Sequence, residues 1–168
     1  MNDPGPENRP DSAATADSLQ WRLQAFEELS PAQLYALLVE RVAVFVVEQN
    51  CAYPELDGRD PKAMHLSAWA GEHAPVAYAR ILPPGSRFDQ PSIGRVLTVA
   101  GVRATGLGRE LMARAIDATR QRWPGTAICV SAQRHLEGFY ASLGFATISP
   151  PYDEDGIEHV DMQLPAAG

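Results

Sequence analysis

With 168 residues, 45% of them hydrophobic, the chain can bury one substantial core and has little room for a second domain. Fourteen basic against 21 acidic side chains give a net charge of −7, which argues against sequence-independent nucleic-acid binding, where clustered Lys and Arg must supply most of the affinity. The acid excess either favours a cationic small molecule or is the ordinary condition of a soluble protein.

Residues 1–18 are rich in Pro, Asp, Asn, Ser and Ala and are expected to form a flexible tail, because they cannot offset the entropy of ordering. Leu19, Trp21 and Leu23 alternate with Gln20, Arg22 and Gln24 at the period of a half-buried strand. Ser30-Pro31 supplies an N-cap and first-turn proline, and Leu34, Leu37, Leu38, Val42, Phe45 and Val46 continue at helical spacing. Asn50–Lys62 is dense in Pro, Asp and Gly and reads as a long loop lining a substrate site. His65–Ala70 and Val76–Leu82 flank Gly71–Pro75 as a hairpin, and Ile93–Val99 is a further strand. Leu107–Trp123 carries Leu107, Leu111 and Ile116 on one helical face with Arg109, Arg114 and Arg120 outside. Then come a strand at Ala127–Ala132, a short helix at His135–Leu143, a strand start at Phe145–Ser149 and a last strand at Glu158–Leu164. The order β-α-β-β-β-α-β-α-β-β, confined to one domain over 19–164, predicts a mixed sheet with helices on both faces.

The two cysteines, Cys51 and Cys129, have no CxxC or Cys/His companions, so no metal site is expected and reduced thiols in a cytoplasmic protein are the simplest account. The longest apolar stretch, Val42–Val47, is far short of the roughly 20 residues that span a bilayer, so neither export nor membrane insertion is expected.

Chemistry concentrates first in Arg103-x-x-Gly106-x-Gly108, between a strand and a helix. Glycines let the backbone approach a ligand closely, and the free N–H groups of a first helical turn favour an anion such as a pyrophosphate. The alternative is a turn that needs glycine only for tight packing. Dinucleotide and nucleoside-triphosphate fingerprints do not fit: Leu111 stands where a third glycine is required, and no Gly-Lys-Ser/Thr ending follows.

In this turn the chain resembles the GNAT superfamily, whose signature is Gln/Arg-x-x-Gly-x-Gly/Ala at a strand-to-helix junction. The runs Val44–Cys51, Asp57-Gly58, Ala77–Ile81, Ile93–Val96, His135-Leu136 with Phe139-Tyr140, and Tyr152–His159 resemble its ElaA-like subgroup over roughly residues 19–164. The resemblance implies an α/β fold of α+β type, with one mixed, largely antiparallel sheet of six or seven strands. It implies acetyl-CoA as donor, CoA as product and an amine, small-molecule or peptide, as acceptor, with no nucleic acid or membrane partner and a homodimer left open.

The cofactor-facing set it implies is Leu97, Thr98, Val99, Arg103, Ala104, Thr105, Gly106, Leu107, Gly108, Arg109, Gln133, Phe139 and Tyr140, along a splay between the strands ending near Val99 and Ala132. Ala104 departs from the pattern, since many relatives carry glycine there. Acyl transfer needs a neutral amine, a polarised thioester and a proton donor for the thiolate. Tyr140 is the expected acid, or else an aromatic packing with Phe139, Leu143 and Phe145. Glu48 and His135 are the candidate bases, or else a solvated helix end and a partial cap. Arg80 and Arg95 either recognise an acid or brace Glu48, or alternate on a solvent-facing strand side. Glu154, with Asp153, Asp155 and His159, either holds a cationic acceptor, as Glu48 would, or forms a solvated turn. The leading reading is an N-acetyltransferase of the acyltransferase class, and the alternative is a CoA-binding regulatory module without turnover.

Overall fold

The protein was analysed as a computed structural model that describes residues 19–168, so the expected tail at 1–18 lies outside the described residues. Strand β1 (Gln20–Ala25) leads to helix α1 (Pro31–Val42), whose start is fixed by Ser30 and Gln33 exchanging hydrogen bonds, 3.2 and 2.9 Å, around a first-turn proline. The α-helix ends four residues before the expected Val46. Ala43–Glu48 widens into a π-turn, as suits a run of stiff β-branched side chains, and Asn50 at φ 49° closes it.

Strands β2 (Met64–Trp69), β3 (Pro75–Leu82) and β4 (Ser92–Thr98) follow, then helix α2 (Leu107–Arg122), strand β5 (Ile128–Gln133), short helix α3 (Glu137–Ala141) and strands β6 (Ala146–Thr147), β7 (Tyr152–Glu154) and β8 (Ile157–Leu164). They form one eight-stranded sheet in the order β1-β2-β3-β4-β5-β8-β6, with β7 also on β8. All pairings are antiparallel except β4 with β5. The sheet has one strand more than expected. Tyr152–Glu154, read as part of an acidic turn, is a strand, because Asp155 (φ 53°) and Gly156 (φ 82°) both take the left-handed conformation of a tight hairpin turn. Helix α2 covers one sheet face through Leu111, Met112, Ala115 and Ile116, while α1 covers Trp69, Tyr78 and Leu97 on the other. No helix among the described residues is long and apolar enough to cross a membrane.

Two features of β4 shape the molecule. Tyr78 pairs with Leu97 and Arg80 with Gly94, so Arg95 and Val96 together oppose Ala79 alone, a β-bulge at which Arg95 adopts φ 51°. A bulge bends and twists its strand. Beyond it β4 parts from β5, the two sharing only the Ser92–Cys129 register pair.

A buried ion network holds the bulge. Arg41 of α1, Arg80 of β3 and Arg95 of β4 converge on Glu55, Asp57 and Asp60, all from the loop after the π-turn. Arg41 reaches Glu55 Oε2 at 2.8 Å and Asp60 Oδ1 at 2.7 Å, Arg80 grips both Asp57 oxygens at 2.7 Å, and Arg95 Nε donates to Glu55 Oε1 at 2.7 Å. Thus Arg80 and Arg95 are neither on a solvent-facing side nor braces for Glu48; they fasten the loop to the sheet. His65 adds a neutral fastening, accepting from the Tyr78 hydroxyl at Nδ1 (2.8 Å) and donating from Nε2 to the Asp60 carbonyl (3.0 Å).

Removing one member strands a buried partner charge, so Glu55→Ala should cost about 3–5 kcal/mol in urea unfolding. Burial opposes ionisation of Asp57 and Asp60, yet hydrogen bonds from Arg80 and the Arg59 N–H to Asp57, and from Arg41 to Asp60, hold both carboxyls below their ordinary range. The unfolded chain therefore takes up protons first, and stability should fall as pH drops below about 4. Asp57→Asn, less stable at pH 7, should lose less stability than the parent between pH 7 and pH 3. Ala104, the departure from glycine, sits at φ 62°. Because a left-handed L-residue costs about 1–2 kcal/mol and glycine's extra unfolded-state entropy returns part of that, Ala104→Gly should raise stability by about 0.5–1 kcal/mol, about 1–4 °C in a thermal melt.

Candidate functional site

The gap between β4 and β5 opens into a cavity of about 620 Å³. Its walls are the π-turn, the Cys51–Arg59 part of the loop, the parted strands, and the β7–β8 hairpin. Two contacts close it across the top: Gln133 Nε2 of β5 donates to Gln49 Oε1 at 2.9 Å, and the Cys51 thiol donates to the Asp155 carbonyl at 3.3 Å. A second, more open cleft of about 510 Å³ shares Arg59, Arg87, Phe88 and Glu154 with the first.

The sheet supplies a polar floor. On β5 and β8 the register pairs Cys129–Gln163, Ser131–Asp161 and Gln133–His159 fall on one face, while Ile128, Val130 and Ala132 with Leu164, Met162 and Val160 fall on the core face. This period-two polar stripe was readable in the sequence, although Ser131, Arg87 and Tyr152 were missed there. The Asp155-Gly156 dipeptide is the signal that would have found the hairpin bearing Tyr152.

The structure brings Glu48, Arg80, Arg95, Leu97, Thr98, Arg103, Gln133, His135, Tyr140 and Glu154 to the main cavity. Val99 and Phe139 pack against the core beside it, and the Leu107 side chain is buried in that core. Ala104, Thr105 and Gly106 form an exposed turn outside the lining, and Arg109 reaches from α2 to Ser142 Oγ at 2.7 Å.

That turn is built for close approach. Gly106 caps α2 with φ 90° and no side-chain acceptor, so no side chain satisfies the first helical N–H groups. A Cβ added at Gly106 would meet nothing within 4 Å and one at Gly108 only Thr98 Cγ2 at 4.0 Å, so the protein itself leaves this space open. The conformation, not crowding, is what requires glycine at 106. Thr105 Oγ1 donates to the Val102 carbonyl at 2.7 Å and Arg103 Nε to the Thr98 carbonyl at 3.1 Å, fixing the loop to β4.

Arg103 and Glu48 form a two-pronged ion pair, 2.5 and 2.9 Å, between this turn and the π-turn. The hydrogen bonds from Arg103 hold the Glu48 carboxyl below its ordinary range, which makes it a weak proton acceptor in this arrangement. His135 is exposed at the cavity rim.

Tyr140 lines the cavity from α3. Only 6% exposed, it is wedged edge-on between Phe139 (5.2 Å) and Phe145 (5.9 Å). Burial alone pushes its phenol up to about 12, so the hydroxyl remains protonated at neutral pH while facing the cavity. A buried donor that keeps its proton is what a departing thiolate requires.

A family model described as acetyltransferase (GNAT) domain matches residues 28–166. ElaA of Escherichia coli is 40% identical over 146 residues, covering 86% of this chain and 95% of that protein. The chain is similar to the crystal structure of an acyl-CoA N-acyltransferase from Pseudomonas aeruginosa, with a TM-score of 0.83 and 41% identity over 88% of this chain and 99% of that one. It is likewise similar to the crystal structure of E. coli ElaA, with a TM-score of 0.81 and 39% identity over 87% and 99%. The parted sheet, the glycine-capped helix and the buried tyrosine thus belong to a chain that is a member of the GNAT acetyltransferase family, in its ElaA-like subgroup.

Proposed function

We propose that this protein transfers an acetyl group from acetyl-CoA to a primary amine by direct attack within a ternary complex. The observation that carries this reading is the presence of Tyr140 in the cavity lined by the unpaired edge of β4 and by Arg103, the first residue of the exposed turn that leads into the glycine-capped start of α2. The donor's fit rests on those two features. The free N–H groups at Gly106–Gly108 suit a pyrophosphate, and the edge of β4 beyond Ser92, not zipped to β5, suits an extended amide-bearing arm, although the Val99 N–H and carbonyl are taken by Val76 and Val102. Arg103 adds a cation at the same rim, and Thr98, Gln133 and Phe139 border the route inward.

Acetyl-CoA supplies an acyl group activated as a thioester. The new C–N bond forms as the C–S bond breaks, and Tyr140 gives its proton to the leaving sulfur. Desolvation keeps the phenol protonated until transfer, and because burial penalises any anion at that spot it also raises the proton affinity of the departing thiolate, so the proton moves as the C–S bond breaks. The reading also assigns the protein to the cytoplasm, consistent with the two buried free thiols, Cys51 and Cys129.

Calorimetric titration with acetyl-CoA, followed by thiol release across a panel of primary amines, tests this. The parent should bind and turn over at least one amine. Gly108→Trp, at a glycine without left-handed backbone, should abolish binding while the protein still folds, and Tyr140→Phe should keep the acetyl-CoA Kd within about twofold yet lower kcat about 10²–10³-fold. A parent that does not bind acetyl-CoA would sink the proposal, whereas binding without turnover on any amine would favour a CoA-binding module.

A further inference from the structure

Where β5 meets the β7–β8 hairpin in the cavity lining, three acceptor atoms converge. His159 Nδ1 lies 2.8 Å from the Ile157 carbonyl, which can only accept, so in the neutral ring that nitrogen carries the proton and Nε2 keeps its lone pair. Nε2 faces Glu154 Oε2 at 3.8 Å, too far for a hydrogen bond. Ser131 Oγ lies 3.5 Å from the same carboxylate oxygen.

The neighbouring protons are already committed. Tyr152 donates to Asp161 Oδ1 at 2.7 Å, so the 2.5 Å contact between Ser131 and Tyr152 is filled by the serine proton, and Ser131 Oγ keeps its lone pairs. Arg87 donates to both Glu154 oxygens, 2.9 and 3.1 Å, but a carboxylate has about four acceptor directions and two remain. Ser131, Glu154 and His159 all line the main cavity, and the His159 side chain is only 12% exposed, with its ring stacked on Tyr152.

We infer that Ser131 Oγ, Glu154 Oε2 and His159 Nε2 form a seat for the ammonium group of the acceptor, and that His159 is the base that deprotonates it. A primary ammonium has three N–H donors, and the cluster presents three acceptors, the one proton it carries, on Ser131, being directed at Tyr152. One proton passes to His159 Nε2, and the imidazolium so formed faces the Glu154 carboxylate and the Ile157 carbonyl. The neutral amine then attacks the acyl carbon. Of the three ammonium protons, one stays on the amide nitrogen, one leaves through His159 to solvent, and one replaces the proton that Tyr140 gives to sulfur. The base role rests on the transferase reading; the seat stands apart from it.

The charged and titratable groups around His159 are Glu154 and Tyr152 on β7, Arg87 on the β3–β4 loop, Asp161 on β8 behind Tyr152, and Asp155 in the hairpin turn; β5 contributes only neutral Ser131 and Gln133. Imidazole ¹⁵N spectra of the full chain should show His159 as the Nδ1–H tautomer. Ethylammonium should shift its Nε2 resonance, whereas tetramethylammonium, which has no N–H donor, should not at equal concentration. Glu154→Gln should weaken the ethylammonium response at least tenfold. An Nε2–H tautomer, an equal response to both cations or no response overturns the seat. His159→Gln should lower kcat/KM about 100-fold on the best amine and remove the acid limb of its pH profile, with the acetyl-CoA Kd within about twofold of the parent. Activity and pH profile retained in that variant overturn the base role. A parent that fails to bind acetyl-CoA defeats the transferase reading instead, and the ethylammonium result still decides the seat.

Discussion

The site depends on a residue held where a side chain is uncomfortable. Arg95 sits left-handed in the middle of β4, a conformation costing about 1–3 kcal/mol for a non-glycine residue. Its guanidinium offsets that strain by hydrogen bonding both the carboxylate and the carbonyl of Glu55, and Glu55 is in turn gripped by Arg41. Without the bulge, β4 would have no local reason to bend from β5, and the gap that becomes the cavity would close into a continuous ladder. The buried ion network is therefore architecture before it is electrostatics. Three cations from three elements are consumed by three carboxylates of one loop, which fixes the loop as a wall and leaves little of that charge for a ligand.

Charge left over is distributed by position. At the donor rim, Arg103 is balanced by Glu48, so an arriving anion competes with a carboxylate for the guanidinium. At the β7–β8 hairpin, Glu154 is held by Arg87, and His159 lies beyond hydrogen-bond reach of it. Tyr140 lies between hydrophobic neighbours rather than ionic ones, and its high proton affinity comes from burial alone. On the proposed reading a proton donor and a cation-accepting floor share one cavity, with an anion-accepting turn beside it, and each owes its character to a different physical cause.

Much of this was legible in the sequence. The helix starts at Ser30-Pro31 and after Gly106, the hairpin around Gly71–Pro75 and the core stripe of α2 follow from local periodicity and capping, and the structure has them. The turn from Arg103 to Gly108 and the tyrosine thirty-odd residues later carried the resemblance to the family. What stayed hidden is non-local. The partners of Arg41, Arg80 and Arg95 lie between 14 and 40 residues away, and nothing in an Arg-Val dipeptide within an apolar strand announces a left-handed bulge. The alternative that Arg80 and Arg95 brace Glu48 failed because the loop brings its own carboxylates closer. The extra strand β7 was missed for a different reason: Asp155-Gly156 was read for its charge when its backbone preference was the stronger signal.

A crystal structure of the protein with acetyl-CoA would test the central claim most directly. The bulge at Arg95 should persist with its contact to Glu55, the pantetheine arm should lie between β4 and β5 along the unpaired edge of β4, and the sulfur should sit within hydrogen-bond reach of the Tyr140 hydroxyl. Acetyl-CoA bound elsewhere, or the two strands zipped together beyond Ser92 and Cys129 with Arg95 returned to extended geometry, would contradict the account.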